Sequence, residues 1–314
     1  MTLIRFALPC NLRTKVGWMI QKISTKNPTD VAKEVQATYL QIFPGGDKTF
    51  VPHAFQWASD CFEGKYADFQ PVDARYHDFE HTLQGALCMA RILRGRHRAW
   101  AQPALPQRMA ELGLVSILLH DTGYLKKRGD DSGTGAKYTS VHVGRSAEFA
   151  GQLLTENGFS AMEIASVQNM ICCTGVDALL KVIPFQSELE KITGLCLGAA
   201  DLLGQMAADD YIEKLPVLYA EFAEAARGSP QKSGIVNMFS SAKDLLRKTP
   251  DFWEQYVKVK LERDFGGQYR YLNDPYPDGA NEYMEKIEAN VRRLRKLISS
   301  EADTTAFLKK HCVA

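Results

Sequence analysis

Apolar residues recur at helical spacing over most of the chain. In PTDVAKEVQATYLQIF (28–43), Val31, Val35, Tyr39, Leu40 and Phe43 share one stripe, with Thr29 or Asp30 ahead of it as an N-cap. EHTLQGALCMARILRG (80–95) turns Leu83, Leu87, Ala90 and Ile92 inward and stops at Gly95. PQRMAELGLVSILLH (106–120) opens with proline near its first turn, and SVHVGRSAEFAGQLLTENG (140–158) closes on Asn-Gly. A helix over 160–173 follows, then a stretch over 187–228 that reads as one very long helix or two, with Pro216 a kink or an early-helix position. Three more helices are predicted at about 235–248, 250–264 and 278–300. No Asn-Gly or Asp-Gly joins two alternating apolar runs, so no hairpin is predicted, and the polar stretch 126–140 reads as a loop between helices. The fold class predicted is all-α, a helical bundle. A helical extension over 1–50 precedes a core over 51–230, and C-terminal helices over 231–314 pack on the core and close its pocket.

Composition sharpens this only by exclusion. The 314 residues are 45% apolar and 24% charged, with net charge +1. That balance gives no electrostatic reason to expect nucleic acid or an anionic membrane as partner. No stretch approaches the roughly 18 apolar residues of a membrane span. The seven cysteines form no C-x-x-C pair and several sit in apolar helical runs, the usage of a reducing compartment. With no long apolar signal segment at the N-terminus, the expected location is the cytoplasm.

Chemistry enters where ionisable residues fall in apolar helices, because an unpaired buried carboxylate normally finds a partner, a proton or a metal. LVSILLHDTGY (114–124) is apolar nearly all round and ends in His120 and Asp121. Adjacent helical residues point about 100° apart, so only a helix that ends there can turn both toward one point. Asp201 is the sole charge in LCLGAADLLGQMAA (195–208), where a metal or a neighbouring Arg or Lys would offset it. His77 and His81, in RYHDFEHTLQGA (75–86), share a face at i,i+4, as metal-binding pairs do and as two surface histidines also can. His142 opens an amphipathic helix, where a structural role is the usual one. Together these residues form a set of imidazoles and carboxylates suited to Zn, Mn, Fe or Mg, and Asp121 could bridge two ions.

The order of these motifs resembles the HD superfamily of metal-dependent phosphohydrolases, whose H…HD…D signature falls here on His81, His120-Asp121 and Asp201. YHDFEHTLQGA, LLHDTGY and AADLLGQ are each similar to segments of its cyclic-nucleotide phosphodiesterase branch, over about 75–225. The resemblance implies a PDEase-like helical bundle with one or two divalent ions (Mg, Mn, Zn or Fe). It implies His81, His120, Asp121 and Asp201 as ligands, Asp121 bridging, and His142 on a second ion. His77 matches the general acid, so the catalytic residues implied are His77 and Asp121. Where the superfamily's oxygenases carry a further histidine, this chain has MICCTG with Cys172 and Cys173, which read as buried thiols rather than ligands. Lys126, Lys127 and Arg128 follow the HD turn as a basic rim or as a solvated loop, and Arg145 is a second candidate for gripping phosphate. DFWEQY (251–256) and GGQYRYLNDPYP (266–277) wall a pocket or pack in the core. The expected activity is hydrolysis of a small phosphate ester, a phosphodiester or nucleotide, by metal-activated water. The alternatives are an HD-type di-iron oxygenase and a non-catalytic metal-bound regulatory protein. The expected partner is that small ester, without nucleic acid or membrane, and a homodimer is left open.

Overall fold

The computed structural model describes residues 23–175, 178–228 and 238–312. Among them the fold is all-α, as expected. The first 22 residues of the expected N-terminal extension, and the start of the helix expected at 235, lie outside the described residues.

Short polar caps set the helix starts. Asn27 accepts the Thr29 N–H ahead of α1 (Pro28–Ile42), which has proline at its first position. α2 (Phe50–Phe62) follows, a helix the apolar pattern did not single out; its aromatic run blurs the period, and Pro52 sits in its first turn. Asp78 caps α3 (Phe79–Arg98) by accepting the His81 N–H, which fixes where His81 enters the helix. α4 (Gln107–Leu119), α5 (His142–Glu156) and α6 (Ala161–Ile171) come next, the last opened by a full capping box between Ser160 and Glu163.

The stretch 187–228 is two helices, α7 (Glu188–Met206) and α8 (Tyr211–Gly228), and Pro216 lies inside α8 rather than at the break. α9 (Ala242–Phe252) runs through Pro250 into π-helical turns at Trp253–Val257 and Lys260–Asp264, where two separate helices were expected. α10 (Glu282–Ile298) and a further helix, α11 (Glu301–His311), complete the chain.

Three helices form the centre. α3 is buried without interruption from His81 to Leu93, α4 from Ala110 to Leu119, and α7 from Ile192 to Gly204. α3 packs against α1, α4 and α7. One hydrophobic cluster runs from Val31 of α1 to Leu294 of α10, so the end segments share the core of the middle one. Trp253, from the first aromatic-rich segment, is buried in that core, as is Phe265 just ahead of the second. Polar links cross it: Tyr39 donates to Glu111 at 2.5 Å, and the Asn290 amide donates to the Met206 and Ala208 carbonyls, tying α10 to the end of α7.

The approach of α3 to α7 depends on glycine. A Cβ at Gly204 would lie 2.7 Å from the Gln84 carbonyl carbon and 2.8 Å from the Gly85 nitrogen, both backbone atoms that cannot swing aside. Gly204→Ala is therefore expected to force the helices apart and cost about 1–3 kcal/mol, read as a lowered denaturation midpoint.

A second expectation concerns acid stability. The Arg108 guanidinium, 2.6 Å from Glu163, holds that carboxyl at about 2, below its ordinary 4.5. A carboxyl depressed in the folded state stabilises it above the unfolded value, and that contribution fades as pH falls from 4.5 toward 2. The pair is part-exposed, so solvent screening keeps its worth to about 1 kcal/mol or less. Glu163→Gln should thus be less stable than the parent at pH 7 and nearly equal to it at pH 2, as measured by denaturant titration.

Candidate metal centre

Each central helix delivers part of one cluster. α4 stops at Leu119, and the turn after it is stitched by side chains. His120 Nδ1 donates to the Ile117 carbonyl at 2.7 Å, Thr122 Oγ1 donates to the Leu119 carbonyl, and the Gly123 N–H donates to Ser146 Oγ. Residue 123 must be glycine, because a Cβ there would collide with the His142 carbonyl oxygen. Asp121 leaves the helical conformation at φ −108°, ψ 8°, so His120 and Asp121 turn toward the same point.

At that point His81 Nε2 lies 3.1 Å from Asp121 Oδ2 and 3.2 Å from Asp201 Oδ1; His120 Nε2 lies 3.3 and 3.4 Å from the same two oxygens. His81, His120 and Asp121 each offer a ligand atom within 4.8 Å of the others, a group that could hold a metal ion. All four residues are buried, His120 and Asp121 almost completely. Yet His120 Nε2 and Asp121 Oδ2 make no hydrogen bond despite these approaches. Buried polar atoms are nearly always paired, so two orphans facing each other fit a cation between them.

Asp121 faces two ways. Its Oδ2 belongs to the cluster above, and its Oδ1 lies 3.8 Å from His142 Nε2. His142 Nδ1 donates to the Thr139 carbonyl at 2.6 Å, which leaves Nε2 as the lone-pair nitrogen, as the Ile117 carbonyl does for His120. Tyr124 stacks on both His142 and His77, with ring centroids 4.8 and 4.5 Å away, and those two imidazoles lie 5.9 Å apart. His77 Nδ1 meets Glu221 Oε2 at 2.6 Å, and the other oxygen of Glu221 accepts the Tyr76 N–H at 2.7 Å. Gln205 links the shell behind Asp201: its amide donates to Asp201 Oδ1 at 3.3 Å while its oxygen accepts from Tyr76 Oη at 2.7 Å.

Protonation follows from burial set against charge. Burial pulls the His81 pKa down, but the Asp121 and Asp201 carboxylates outweigh it and raise it to about 10. The same contest raises His120, chiefly through Asp121. Burial pushes both aspartates up, and the imidazoles more than reverse this, leaving Asp121 and Asp201 well below the usual carboxylate range. His142 is lowered by burial and stays neutral. A cation entering the cluster would compete with the protons that these carboxylates favour on the imidazoles.

Two of the expected phosphate-binding residues are engaged by the protein itself. Arg145 donates from Nε and Nη2 to the Gly123 and Leu125 carbonyls, both at 2.7 Å, and covers the Tyr138 ring. Lys126 is buried, paired with Asp73 at 2.8 Å and bonded to the Gly133 carbonyl. Lys127 is exposed, and its carbonyl accepts from Gln70. Cys172 and Cys173 are free thiols outside the cluster. Glu221 and Gln205 escaped the sequence reading. For Glu221 a signal existed, since it falls one turn before the buried Ala225 and so on the inner side of α8.

Zn²⁺ or Mn²⁺ titrated into chelator-treated protein should bind, read by calorimetry and by metal analysis after desalting. Asp121→Ala should abolish that binding, whereas Gln205→Leu, which frees Asp201 and Tyr76 behind the cluster, should weaken it about 10–100-fold. Unchanged metal content in Asp121→Ala would remove the cluster from consideration as a metal site.

Among the described residues no helix is long and apolar enough to cross a membrane. No curated protein matches the chain. A family model, described as Npun_R2479-like, matches residues 28–273, which takes in every cluster residue and both flanks of the expected core. The chain belongs to the Npun_R2479-like family.

Proposed function

We propose that the chain is a metal-dependent phosphohydrolase acting on a small phosphate ester, a phosphodiester or nucleotide, as the HD resemblance implies. The observation that carries this reading is the split of Asp121, one oxygen toward His81 and His120 and the other toward His142, with a carboxylate-held histidine alongside. Divalent ions, when bound there, supply a Lewis acid for phosphate oxygens and a hydroxide at neutral pH.

The chain's own part is positional. His81, His120, Asp121 and Asp201 would hold the ion or ions, with Asp121 shared and His142 on the far side. The carbonyls of Ile117 and Thr139 fix the tautomers of His120 and His142. Glu221 engages His77 at Nδ1, leaving Nε2 as the nitrogen that gives a proton to the leaving oxygen. Glu221 is itself held by the Tyr76 N–H, and Tyr124 stacks on the His77 ring, so the acid has a fixed bearing on the centre. Attack in line with the leaving group needs that bearing, since little in phosphoryl transfer beyond positioning and charge falls to the protein.

A generic aryl phosphodiester and a nucleotide panel, each with Mn²⁺, Mg²⁺, Zn²⁺ and Fe²⁺, test the reading. Metal-dependent phosphate release is expected, lost in Asp121→Ala. His77→Ala should keep the metal and slow turnover by about 10²–10⁴-fold, most for poor leaving groups. Glu221→Gln should keep the metal and move the alkaline limb of the pH–rate profile, which reports the general acid, to lower pH. Absence of hydrolysis across the panel in metal-loaded protein, or equal loss for all leaving groups in His77→Ala, counts against it.

A further inference from the structure

On the neighbouring side of α3 from the metal cluster lies a cavity of about 570 Å³, within the range of small-ligand pockets. α3, the end of α7, residues 23–26 and the start of α10 enclose it. Two of its lining side chains are more than nine-tenths buried and short of partners. Arg91 is 8% exposed; its Nη1 donates to the Tyr283 hydroxyl at 3.2 Å, and its Nε makes no hydrogen bond. Gln84 is 5% exposed, and its Nε2 makes none either.

Arg91 lies over the Tyr283 ring, 5.6 Å from its centroid, and Glu282 acts on it through space, but no charge around Arg91 pairs with it. Glu80 is paired with Lys214 at 3.3 Å, Asp210 with Lys26 at 3.6 Å, Glu213 with Arg293 at 2.8 Å and Glu282 with Lys286 at 2.7 Å. Asp209 is engaged as well. These wall carboxylates have their own cations, while Arg91 is within ion-pair distance of no carboxylate among the described residues. A buried guanidinium without an anion is costly, and a planar fork with free donors is suited to a carboxylate or phosphate.

We propose that this cavity is a second ligand site, distinct from the metal centre, for a small organic anion whose terminal carboxylate or phosphate is held by Arg91. Gln84 lies two turns away on the same helix, about 10 Å along its axis, and offers an amide donor to an acceptor at the ligand's other end. Gln84 also lines the small void beside His81, together with Tyr76 and Gln205, so the two sites are one side chain apart.

The test is calorimetry on the full chain with two probes, succinate and inorganic phosphate, using the parent, Asp121→Ala and Arg91→Met. At least one probe is expected to bind the parent and Asp121→Ala alike and to bind Arg91→Met at least about tenfold more weakly, the loss expected for a charge-assisted contact. The tighter probe then identifies the head group. Should Arg91→Met fail to fold, Lys286→Glu at the part-exposed mouth takes its place, with several-fold weaker binding expected. In the parent, amide exchange over Leu87–Leu93 should slow when the probe is added. Binding unchanged in Arg91→Met or in Lys286→Glu, binding lost in Asp121→Ala, or no binding of either probe each overturns the proposal. Loss in Asp121→Ala would assign the probe to the metal centre and leave the hydrolase reading intact.

Discussion

Two carboxylates, Asp121 and Asp201, sit where the most thoroughly buried helices of the molecule meet. Removing an ionised carboxylate from water costs several kcal/mol even after relaxation, and nothing apolar around it can offset that. The fold offsets it by aiming His81 and His120 at both oxygens, so that either protons on the imidazoles or a cation between the groups restores neutrality. The arrangement is over-determined: each imidazole approaches both aspartates. No single rotamer change can relax one contact without losing another, which is the condition for a pre-organised site on rigid elements.

That convergence demands close helix packing, which small residues supply. Gly204 lets the α7 backbone lie on the α3 backbone one turn from Asp201, and Gly123 lets the HD turn lie on the start of α5. The hydroxyls of Thr122 and Ser146 then pair backbone groups that the end of α4 leaves open. His142 reaches the far oxygen of Asp121 because the turn that carries Asp121 is pressed against the helix that carries His142. The same contacts gather Tyr124, His142 and His77 into one cluster of touching rings beside Asp121.

Much of this was legible in the sequence because the site residues break a strong pattern. His120-Asp121 and Asp201 interrupt apolar runs, and burial of a charge is the rarest event a helical pattern can contain. The long regular helices were visible for the same reason, since α3, α4 and α7 are defined by their apolar residues. What escaped was set by tertiary contact. α2 has an aromatic-rich run whose period is blurred, and α9 continues through Pro250 into π-helical turns. Glu221 looks like any acidic residue of an amphipathic helix until α8 is laid against the YHDFEH segment. Of the basic residues after the HD turn, Lys127 and Arg128 are exposed, whereas Asp73 and the Gly133 carbonyl draw Lys126 inward.

The fate of Lys126 and Arg145 bears on the chemistry. Both are used to hold the segment between the HD turn and α5 in shape, Lys126 through Asp73 and Gly133, Arg145 through Gly123, Leu125 and the Tyr138 ring. Freeing either for a substrate would abandon short, largely desolvated hydrogen bonds and loosen the turn that presents Asp121. An anionic substrate at this centre would therefore meet two aspartates and a set of histidines, with Arg145 and Lys126 already committed. The positive charge such a substrate requires would have to come from an ion that the cluster could hold. On the proposed reading, metal occupancy thus governs substrate binding as well as turnover, and the ordered 125–141 segment contributes shape to the site rather than charge.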